Sequence, residues 1–439
     1  MTTTGRKLRL GALGRLLLLA PAVACGVAAG QAFAQEVLRG HGGPVRALAV
    51  QAQGRTLVSG SFDSSVIVWD LKANAAQRVL RFHQGAVNAV AILPDGCFAS
   101  GGEDKRIAVW CANADVPVRV LEGHEAPVTS LAAANGVLVS ASFDGTVRQW
   151  NPSGGGTSQI VHRHMGAAMA VTISFGTNVV VSAGSDVALL RGSEPAPLRL
   201  QWTAPATVLA TLPNGDVVAA SADGHVRIVS ADMLVVTEFA VDRIPIASLA
   251  VSPDGRLIAA AGLRGGIAII DRAQAKIVHR LTGPGLPVWS LAFDGDSRTL
   301  ISGGADRVIR RWDAVAGKPL TSTLPERDVV AEAAASGERG AVVFRACQAC
   351  HTLSPDDGNR AGPTLYGVFG RRIGTAPGYA YSEALPRMSI VWSRDTIARL
   401  FEIGPNAYTP GTRMPEQTIN DPADRQALVE WLERVTGAR

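Results

Sequence analysis

The residues whose types and spacing could do chemistry lie near the far end of this 439-residue chain, in the stretch FRACQACHTL. Cys347 and Cys350 are followed directly by His351, which gives the spacing CxxCH. Two thiols at this spacing can add across the two vinyl groups of one haem, and the imidazole that follows can bind its iron. The motif therefore predicts one covalently bound haem c, with His351 as an axial ligand.

Two other chemistries use a CxxC pair. A zinc site would need two further ligands, but no cysteine follows Cys350 and no histidine follows His351. A thioredoxin-like redox pair would need a preceding βαβ pattern, whereas the residues before Cys347 fit one face of an amphipathic helix. Haem attachment is the chemistry that the motif favours.

A second axial ligand could come from either methionine that follows His351. Met414 lies in YTPGTRMP, where prolines and a glycine make a rigid loop, and Met388 lies in LPRMSI without such a frame. Most methionines fill hydrophobic cores, so residue type alone does not decide between them. A sulfur ligand opposite His351 would fill both axial positions and favour one-electron transfer over catalysis at iron.

Most of the chain that precedes the CxxCH motif consists of repeats of about forty residues. Good copies cover residues 40–70, 82–111, 123–151 and 286–313, and weaker copies contain VVVSAGSDVALL, VVAASADGHVRIV and LIAAAGLRGGIAII. Each copy holds apolar runs of strand length separated by turn signals such as FDG and ADG. A four-stranded sheet cannot bury both faces alone, so seven such sheets are expected to pack radially as a β-propeller.

Residues 35–324 resemble the WD-repeat β-propeller family. The resemblance implies that a histidine, a serine, an aspartate and a tryptophan form a buried hydrogen-bond set in each complete blade. Because the set recurs at the repeat period, we interpret it as structural and not as a catalytic triad. The matching residues are His41, Ser59, Asp63, Trp69, His83, Ser100, Asp104, Trp110, His124, Ser140, Asp144, Trp150, Ser302, Asp306 and Trp312.

Residues 338–439 resemble a class I cytochrome c of the mitochondrial and bacterial soluble type. The matching strings are GERGAVVFRACQACHTL, AGPTLYGVFGRRIGTAPGYAYSEAL, TPGTRM and LVEWL. The resemblance implies thioethers at Cys347 and Cys350, with His351 as the proximal ligand and Met414 as the distal ligand. It also implies that five residues support the haem pocket, namely Pro363, Arg371, Tyr381, Trp392 and Thr412.

The first 34 residues differ from the rest of the chain. Arg6, Lys7, Arg9 and Arg15 precede an apolar stretch, and the sequence AFA ends at Ala34. This pattern predicts a secretory signal peptide, with the mature protein in a bacterial periplasm. An uncleaved membrane anchor is the alternative, and a lipoprotein site at Cys25 is a third. No later stretch is long and apolar enough to span a bilayer.

The predicted fold class is therefore multidomain, with an all-β seven-bladed β-propeller followed by an all-α cytochrome c domain. We expect a signal peptide at 1–34, the propeller at 35–324, a linker at 325–337 and the cytochrome c domain at 338–439. Net charge is +5 without a basic block, so nucleic acid is not an expected partner.

Two structural questions stay open at this stage. Cys97 and Cys111 lie symmetrically about a hairpin turn, where they could form a disulfide or remain two buried thiols. The outer strand of the seventh blade could come from residues 36–39 or from residues 318–323.

The sequence favours an electron carrier over an enzyme without deciding between them. We expect a periplasmic c-type cytochrome whose propeller docks it to a redox protein, such as a dehydrogenase or an oxidase. One alternative is an oxidoreductase subunit with a substrate or copper site on the propeller, for which His162 and His164 in VHRHM are candidates. Another is a haem-based redox sensor or scaffold.

Overall fold

Short strands with alternating side chains form the part of the chain that precedes residue 320. The computed structural model describes residues 37–437 except 52–54, 94–95, 112–113, 155–157, 175, 177, 193–195, 284, 321–328, 349, 355–361, 378, 380, 413 and 415. The predicted signal peptide at 1–34 lies outside the described residues.

The first three blades are four-stranded antiparallel sheets whose strand order follows the chain. Their innermost strands begin just after the His-containing loops, and their outer strands are the most exposed. The strands are β2 (Val45–Val50), β3 (Thr56–Ser61), β4 (Ser65–Asp70), β5 (Ala75–Arg81), β6 (Val87–Ile92), β7 (Phe98–Gly102), β8 (Ile107–Trp110), β9 (Arg119–Leu121), β10 (Val128–Ala134), β11 (Val137–Ser142), β12 (Thr146–Trp150) and β13 (Ser158–Arg163).

The next three blades have the same topology although their sequences match the repeat poorly. Their strands are β14 (Ala170–Ser174), β15 (Asn178–Ala183), β16 (Asp186–Leu190), β17 (Leu198–Gln201), β18 (Ala206–Thr211), β19 (Val217–Ser221), β20 (His225–Val229), β21 (Val235–Ala240), β22 (Ile246–Val251), β23 (Leu257–Gly262), β24 (Gly266–Asp271) and β25 (Lys276–Thr282).

The seventh blade is closed by both ends of the repeat region. It contains β26 (Val288–Phe293), β27 (Thr299–Gly304) and β28 (Val308–Asp313), and two short outer strands, β1 (Leu38–Arg39) and β29 (Lys318–Pro319). Both short strands pair with β28, β1 with its beginning and β29 with its end. The two segments that the sequence offered as alternatives therefore share this position, and the predicted seven-bladed propeller is confirmed.

A buried hydrogen-bond set fixes the loops of the complete blades. In the first blade the Nε2 atom of His41 lies 2.7 Å from the Oγ atom of Ser59, which also accepts from Trp69 Nε1 at 2.8 Å. The Nδ1 atom of His41 lies 3.1 Å from Asp63 Oδ2. Equivalent bonds join the predicted sets of the second and third blades, His83, Ser100, Asp104 and Trp110, and His124, Ser140, Asp144 and Trp150.

Arginine replaces histidine in two of the incomplete blades. Arg227 of the fifth blade donates to Ser221 at 2.7 Å and to Asp223 at 3.0 Å, and its guanidinium stacks 4.9 Å from the ring centre of Trp202. In the seventh blade Trp312 Nε1 donates to Ser302 at 2.8 Å, and Asp306 pairs with an arginine of β28, Arg310. In the fifth blade the guanidinium therefore bridges a serine and a carboxylate, as the imidazole does in the complete blades, whereas in the seventh blade Arg310 pairs with the carboxylate.

Cys97 and Cys111 form a disulfide across the second blade. They flank β7 and β8, in which Phe98 pairs with Trp110, so the two cysteines occupy the next facing positions. The disulfide is therefore the alternative that the structure contains.

The secondary structure that follows β29 is helical. They are α1 (Val329–Ala335), α2 (Arg339–Phe344), α3 (Arg394–Ile403), α4 (Pro405–Tyr408) and α5 (Pro422–Thr436), with a 3₁₀ turn at Leu385–Arg387. The first helix begins inside the segment predicted as a linker, and its Val330 is buried in the helical core. No helix in the described residues is long and apolar enough to cross a membrane.

The crossing of α2 and α5 organises the helical core. A Cβ atom at Gly340 would collide with the Ala427 carbonyl and with Trp431, so only glycine permits this approach. Beside it, the rings of Phe344 and Trp431 pack with centroids 5.2 Å apart. Because Phe344 precedes Cys347 by three residues, this crossing anchors the chain where the CxxCH motif begins.

Candidate functional site: a haem c pocket

The CxxCH motif forms a tight turn directly after α2. The amide of Cys347 donates to the Phe344 carbonyl at 2.8 Å, and the amide of His351 donates to the Cys347 carbonyl at 3.0 Å. These hydrogen bonds continue the helical backbone of α2 into the motif. Both thiols and the imidazole line the same cavity.

This cavity holds about 1140 Å³ of empty space, part of it open to solvent. All nine residues that the sequence assigned to the haem site line it, although they come from segments far apart in the chain. They are Cys347, Cys350, His351, Pro363, Arg371, Tyr381, Trp392, Thr412 and Met414. Leu400 and Phe401 of α3 and Leu428 and Leu432 of α5 provide apolar walls.

The orientation of His351 is fixed by its neighbours. Its Nδ1 atom lies 2.8 Å from the Pro363 carbonyl oxygen. A carbonyl can only accept, so Nδ1 carries the proton and Nε2 keeps the lone pair with which an imidazole binds a metal. A Cβ atom at Gly362 would lie 2.5 Å from Cε1 and 2.8 Å from Nδ1 of this ring, so glycine is required there.

The environment of Cys347 disfavours its thiolate. Burial, and then the neighbouring Cys350, raise the pKa of the Cys347 thiol to about 12. Catalytic disulfide-exchanging cysteines have lowered pKa values, because only the thiolate attacks. The raised pKa counts against the thioredoxin-like alternative.

Met414 reaches the cavity from the loop that follows α4. Its backbone amide donates to the hydroxyl of Thr412 at 3.1 Å, and its side chain packs against the helical core. Met388, the other candidate ligand, is not among the residues that line this cavity. The geometry therefore brings only one of the two candidate methionines to the same cavity as His351.

Polar residues at the cavity wall are held by the backbone. Arg371 donates to the carbonyls of Thr364 at 2.6 Å and Tyr366 at 3.1 Å. Burial raises the pKa of Tyr381, so its hydroxyl keeps its proton and can act as a donor. An arginine and a phenol on one wall are suited to binding the carboxylates of haem propionates.

These residues fit a haem c. Two cysteines at thioether spacing, a histidine with the correct tautomer, a methionine and an apolar enclosure meet in one cavity. When bound there, a haem would supply an iron centre that exchanges one electron. Cys347 and Cys350 would hold the porphyrin covalently, and His351 and Met414 would hold the iron.

Sequence reasoning missed several residues of the cavity wall. Gly362 is recognisable only from its distance to the His351 ring, and Tyr379 lies beside Tyr381 with ring centroids 4.7 Å apart. Arg81 comes from the end of β5 in the propeller. The local sequence around Arg81 is that of an ordinary outer strand and gives no signal for this position.

The candidate copper site on the propeller has two of the ligands it would need. The rings of His162 and His164 lie with centroids 4.5 Å apart, and His164 Nδ1 lies 3.7 Å from Asp186. Burial, and then the neighbouring His162, lower the pKa of His164 to about 4. Among the described residues no group of three or more histidine, cysteine or acidic side chains is placed to hold a metal ion.

Fold and site together define a protein that joins a β-propeller to a c-type cytochrome module. Residues 34–70, 75–111, 115–151 and 275–313 match the family described as "WD domain, G-beta repeat", and residues 337–436 match the family described as "Cytochrome c". The chain carries WD repeats and, through its C-terminal segment, belongs to the cytochrome c family.

Curated relatives support the assignment of the C-terminal segment. Cytochrome c of Cochliobolus lunatus is 40% identical over 100 residues, which are 23% of this chain and 92% of that protein. Cytochrome c of Arabidopsis thaliana is 40% identical over 100 residues, 23% of this chain and 88% of that protein. The matches cover nearly the whole of these relatives, so the propeller is additional to what they contain.

Proposed function

We propose that this protein carries single electrons through one haem, bound covalently by Cys347 and Cys350 and ligated by His351 and Met414. The observation that carries the proposal is that His351 and Met414 line one cavity with both thiols. A thioether ligand favours Fe(II) over Fe(III) and gives a comparatively high reduction potential. If His351 and Met414 both held the iron, no position on it would remain for oxygen or a substrate.

The test compares the two methionines that the sequence left as candidates. Met414→Ala should abolish the far-red sulfur-to-iron absorption band, lower the reduction potential and allow the reduced protein to bind carbon monoxide. Met388→Ala should resemble the wild type in all three respects. A Met414→Ala variant that keeps the sulfur-to-iron band would refute the ligation.

The propeller is proposed to dock this electron carrier onto a redox protein. In each blade, the turn between the second and third strands lies at the same end of the propeller as the loop that leads to the next blade, since consecutive strands are antiparallel. We call this end the loop end. Five exposed apolar side chains lie in these turns and loops, where a protein partner could cover them. They are Phe62, Phe143, Met165, Leu263 and Leu286.

Charge gives a further indication of the partner. The chain has no lysine after Lys318, and the arginines of the cytochrome segment are nearly balanced by acids. A strongly acidic partner is therefore not expected, and an apolar contact surface on the propeller suits this balance.

The docking proposal is tested by substitutions at opposite ends of the propeller. A Phe143→Asp/Met165→Asp variant should lose co-purification of a dehydrogenase or oxidase that exchanges electrons with the haem. A Leu234→Asp/Val236→Asp variant alters equally exposed residues near the turn that precedes β21, at the other end, and should keep the partner. Equal loss in both variants would refute docking through the loop end.

We further propose that the mature protein works in a periplasm. Residues 1–34 have the pattern of a secretory signal peptide, and the disulfide between Cys97 and Cys111 suits an oxidising compartment. Mass spectrometry of the protein purified from a periplasmic fraction should find Gln35 at the N-terminus. A full-length chain in the membrane fraction would instead support the uncleaved anchor.

A further inference from the structure

One part of the haem cavity wall comes from the propeller. Arg81, the last residue of the outer strand β5, lines the cavity together with Cys347, Cys350 and His351. Nearby, the Sγ atom of Cys350 lies 3.7 Å from the Gly40 carbonyl, which belongs to the loop between the seventh and first blades. Both contacts lie at the loop end of the propeller.

The contact beside Cys350 continues into the propeller core. Cys350 packs against the apolar cluster of the first and seventh blades, which contains Leu38 and Trp69. The propeller therefore meets this site at two points, because Arg81 lines the cavity and Gly40 lies beside Cys350. Arg81 has a defined backbone position, since it pairs with Ser65 of β4 at the end of β5.

This arginine lies outside the segment that the cytochrome c relatives match, which is residues 337–436. The pocket's own arginine, Arg371, donates to two backbone carbonyls within the cytochrome segment. Arg81 is thus a second arginine at the same cavity, and it is contributed by the domain that those relatives lack.

The charge of Arg81 has a predictable effect on a bound haem. A guanidinium stays protonated at any physiological pH, so it places a fixed positive charge at the cavity wall. Ferric haem carries one more positive charge than ferrous haem, and a nearby cation therefore disfavours the ferric form. Arg81 is solvent-exposed, so salt should screen part of this effect.

We propose that Arg81 is a residue through which the propeller raises the reduction potential of the haem. This inference rests on the proposed function, since it requires haem in the cavity. It assigns the propeller a role in the redox chemistry itself, in addition to docking.

Four full-length variants test the proposal by optical redox titration. Arg81→Gln should lower the midpoint potential relative to the wild type, and Arg81→Glu should lower it further. Arg81→Lys keeps the charge and should restore most of the potential. Arg243→Gln removes the same charge from an exposed loop at the same end of the propeller, between β21 and β22, and should leave the potential unchanged.

Salt titration adds a second readout, because the difference between the wild type and Arg81→Gln should shrink as ionic strength rises. Equal midpoints in Arg81→Gln and Arg243→Gln would overturn the proposal, as would an Arg81→Lys variant that behaves like Arg81→Gln. Failure of the proposed ligation is distinguishable, because it would appear as a missing sulfur-to-iron band in the wild type. The comparison of midpoints does not depend on that band.

Discussion

Histidine has two different roles in the two halves of this molecule. In the third blade, His124 Nδ1 lies 2.9 Å from Asp144 and Nε2 lies 2.7 Å from Ser140, which also accepts from Trp150. Burial lowers the pKa of His124 although Asp144 raises it, so the ring stays neutral at physiological pH. Both ring nitrogens are engaged by the protein, which makes this histidine part of the scaffold.

The histidine of the cytochrome segment has a different environment. His351 Nδ1 donates to a backbone carbonyl, that of Pro363, and its ring forms part of the cavity wall. A carbonyl fixes the tautomer without adding a negative charge. The structural histidine of the blade thus bonds a carboxylate and a hydroxyl, whereas His351 bonds a backbone carbonyl and faces a cavity.

The largest effect should come from removing the thiols beside His351. In the variant Cys347→Ala/Cys350→Ala no thioether can form, so we expect nearly complete loss of haem that survives denaturation. Haem staining of denaturing gels and the pyridine haemochrome spectrum measure this loss. Covalent haem in this variant would contradict the assignment of the site.

The propeller cysteines provide the matched control. Cys97→Ala/Cys111→Ala should keep its full haem content, because these residues lie in the second blade. Its free energy of unfolding should fall by about 3 kcal/mol, since the disulfide closes a loop with a sequence separation of 14. Denaturant titration under non-reducing conditions measures this change.

A smaller effect on the haem site is expected from Gly362→Ala. The new Cβ would lie 2.5 Å from Cε1 of His351, so the ring must move away from the Pro363 carbonyl. We expect weaker axial ligation, seen as partial loss of the low-spin spectrum, and about 2 kcal/mol less stability. Gly166→Ala is the control, because nothing lies within 4 Å of a Cβ there.

Because His124 belongs to the scaffold, we expect its replacement to lower the stability of the protein without changing the haem site. His124→Ala removes the buried imidazole that bonds both Ser140 and Asp144, so the free energy of unfolding should fall by about 2–3 kcal/mol. The haem spectrum and the midpoint potential should not change. A spectral change in this variant, measured beside its denaturation curve, would argue against separate roles for the two histidines.

The smallest effect depends on pH. Burial raises the pKa of Asp104, but the hydrogen bond and charge of His83 and the Gln84 amide outweigh it, and the pKa falls to about 2. Because this value lies below the unfolded pKa of about 3.9, the stabilisation is complete above about pH 4 and is lost as the pH falls through about 2.

Asp104→Asn should therefore be less stable than the wild type at pH 7, by about 1–2 kcal/mol. The difference between the two melting temperatures should close as the pH falls from about 4 to about 2. A difference that stays constant over this range would mean that the carboxylate charge of Asp104 does not stabilise the blade.

The number of blades could be predicted from the sequence, because apolar runs of strand length and turns such as FDG and ADG recur about every forty residues. The substitutes for the lost histidines could not. Arg227 lies in an ordinary strand pattern, and only the folded blade places it between Ser221, Asp223 and Trp202. Its role depends on side-chain packing, which a repeat pattern does not record.

The haem-site residues that lie in local sequence motifs could be predicted from the sequence. CxxCH and TPGTRM name the candidate ligands directly, whereas Arg81 reaches the cavity only through contact between residues far apart in the chain. The pairing of β28 with two short terminal strands could not be predicted from the sequence either. Each strand supplies only two residues, and β1 is separated from β28 by most of the propeller sequence.

The shared outer position on β28 has a consequence for how the propeller is made. Because β1 at the start of the repeat region pairs with β28 near its end, this pairing can form only after β28 has been synthesised. The closing pair ends next to Gly40, whose carbonyl lies 3.7 Å from Cys350, so ring closure and the CxxCH motif are adjacent in the folded protein.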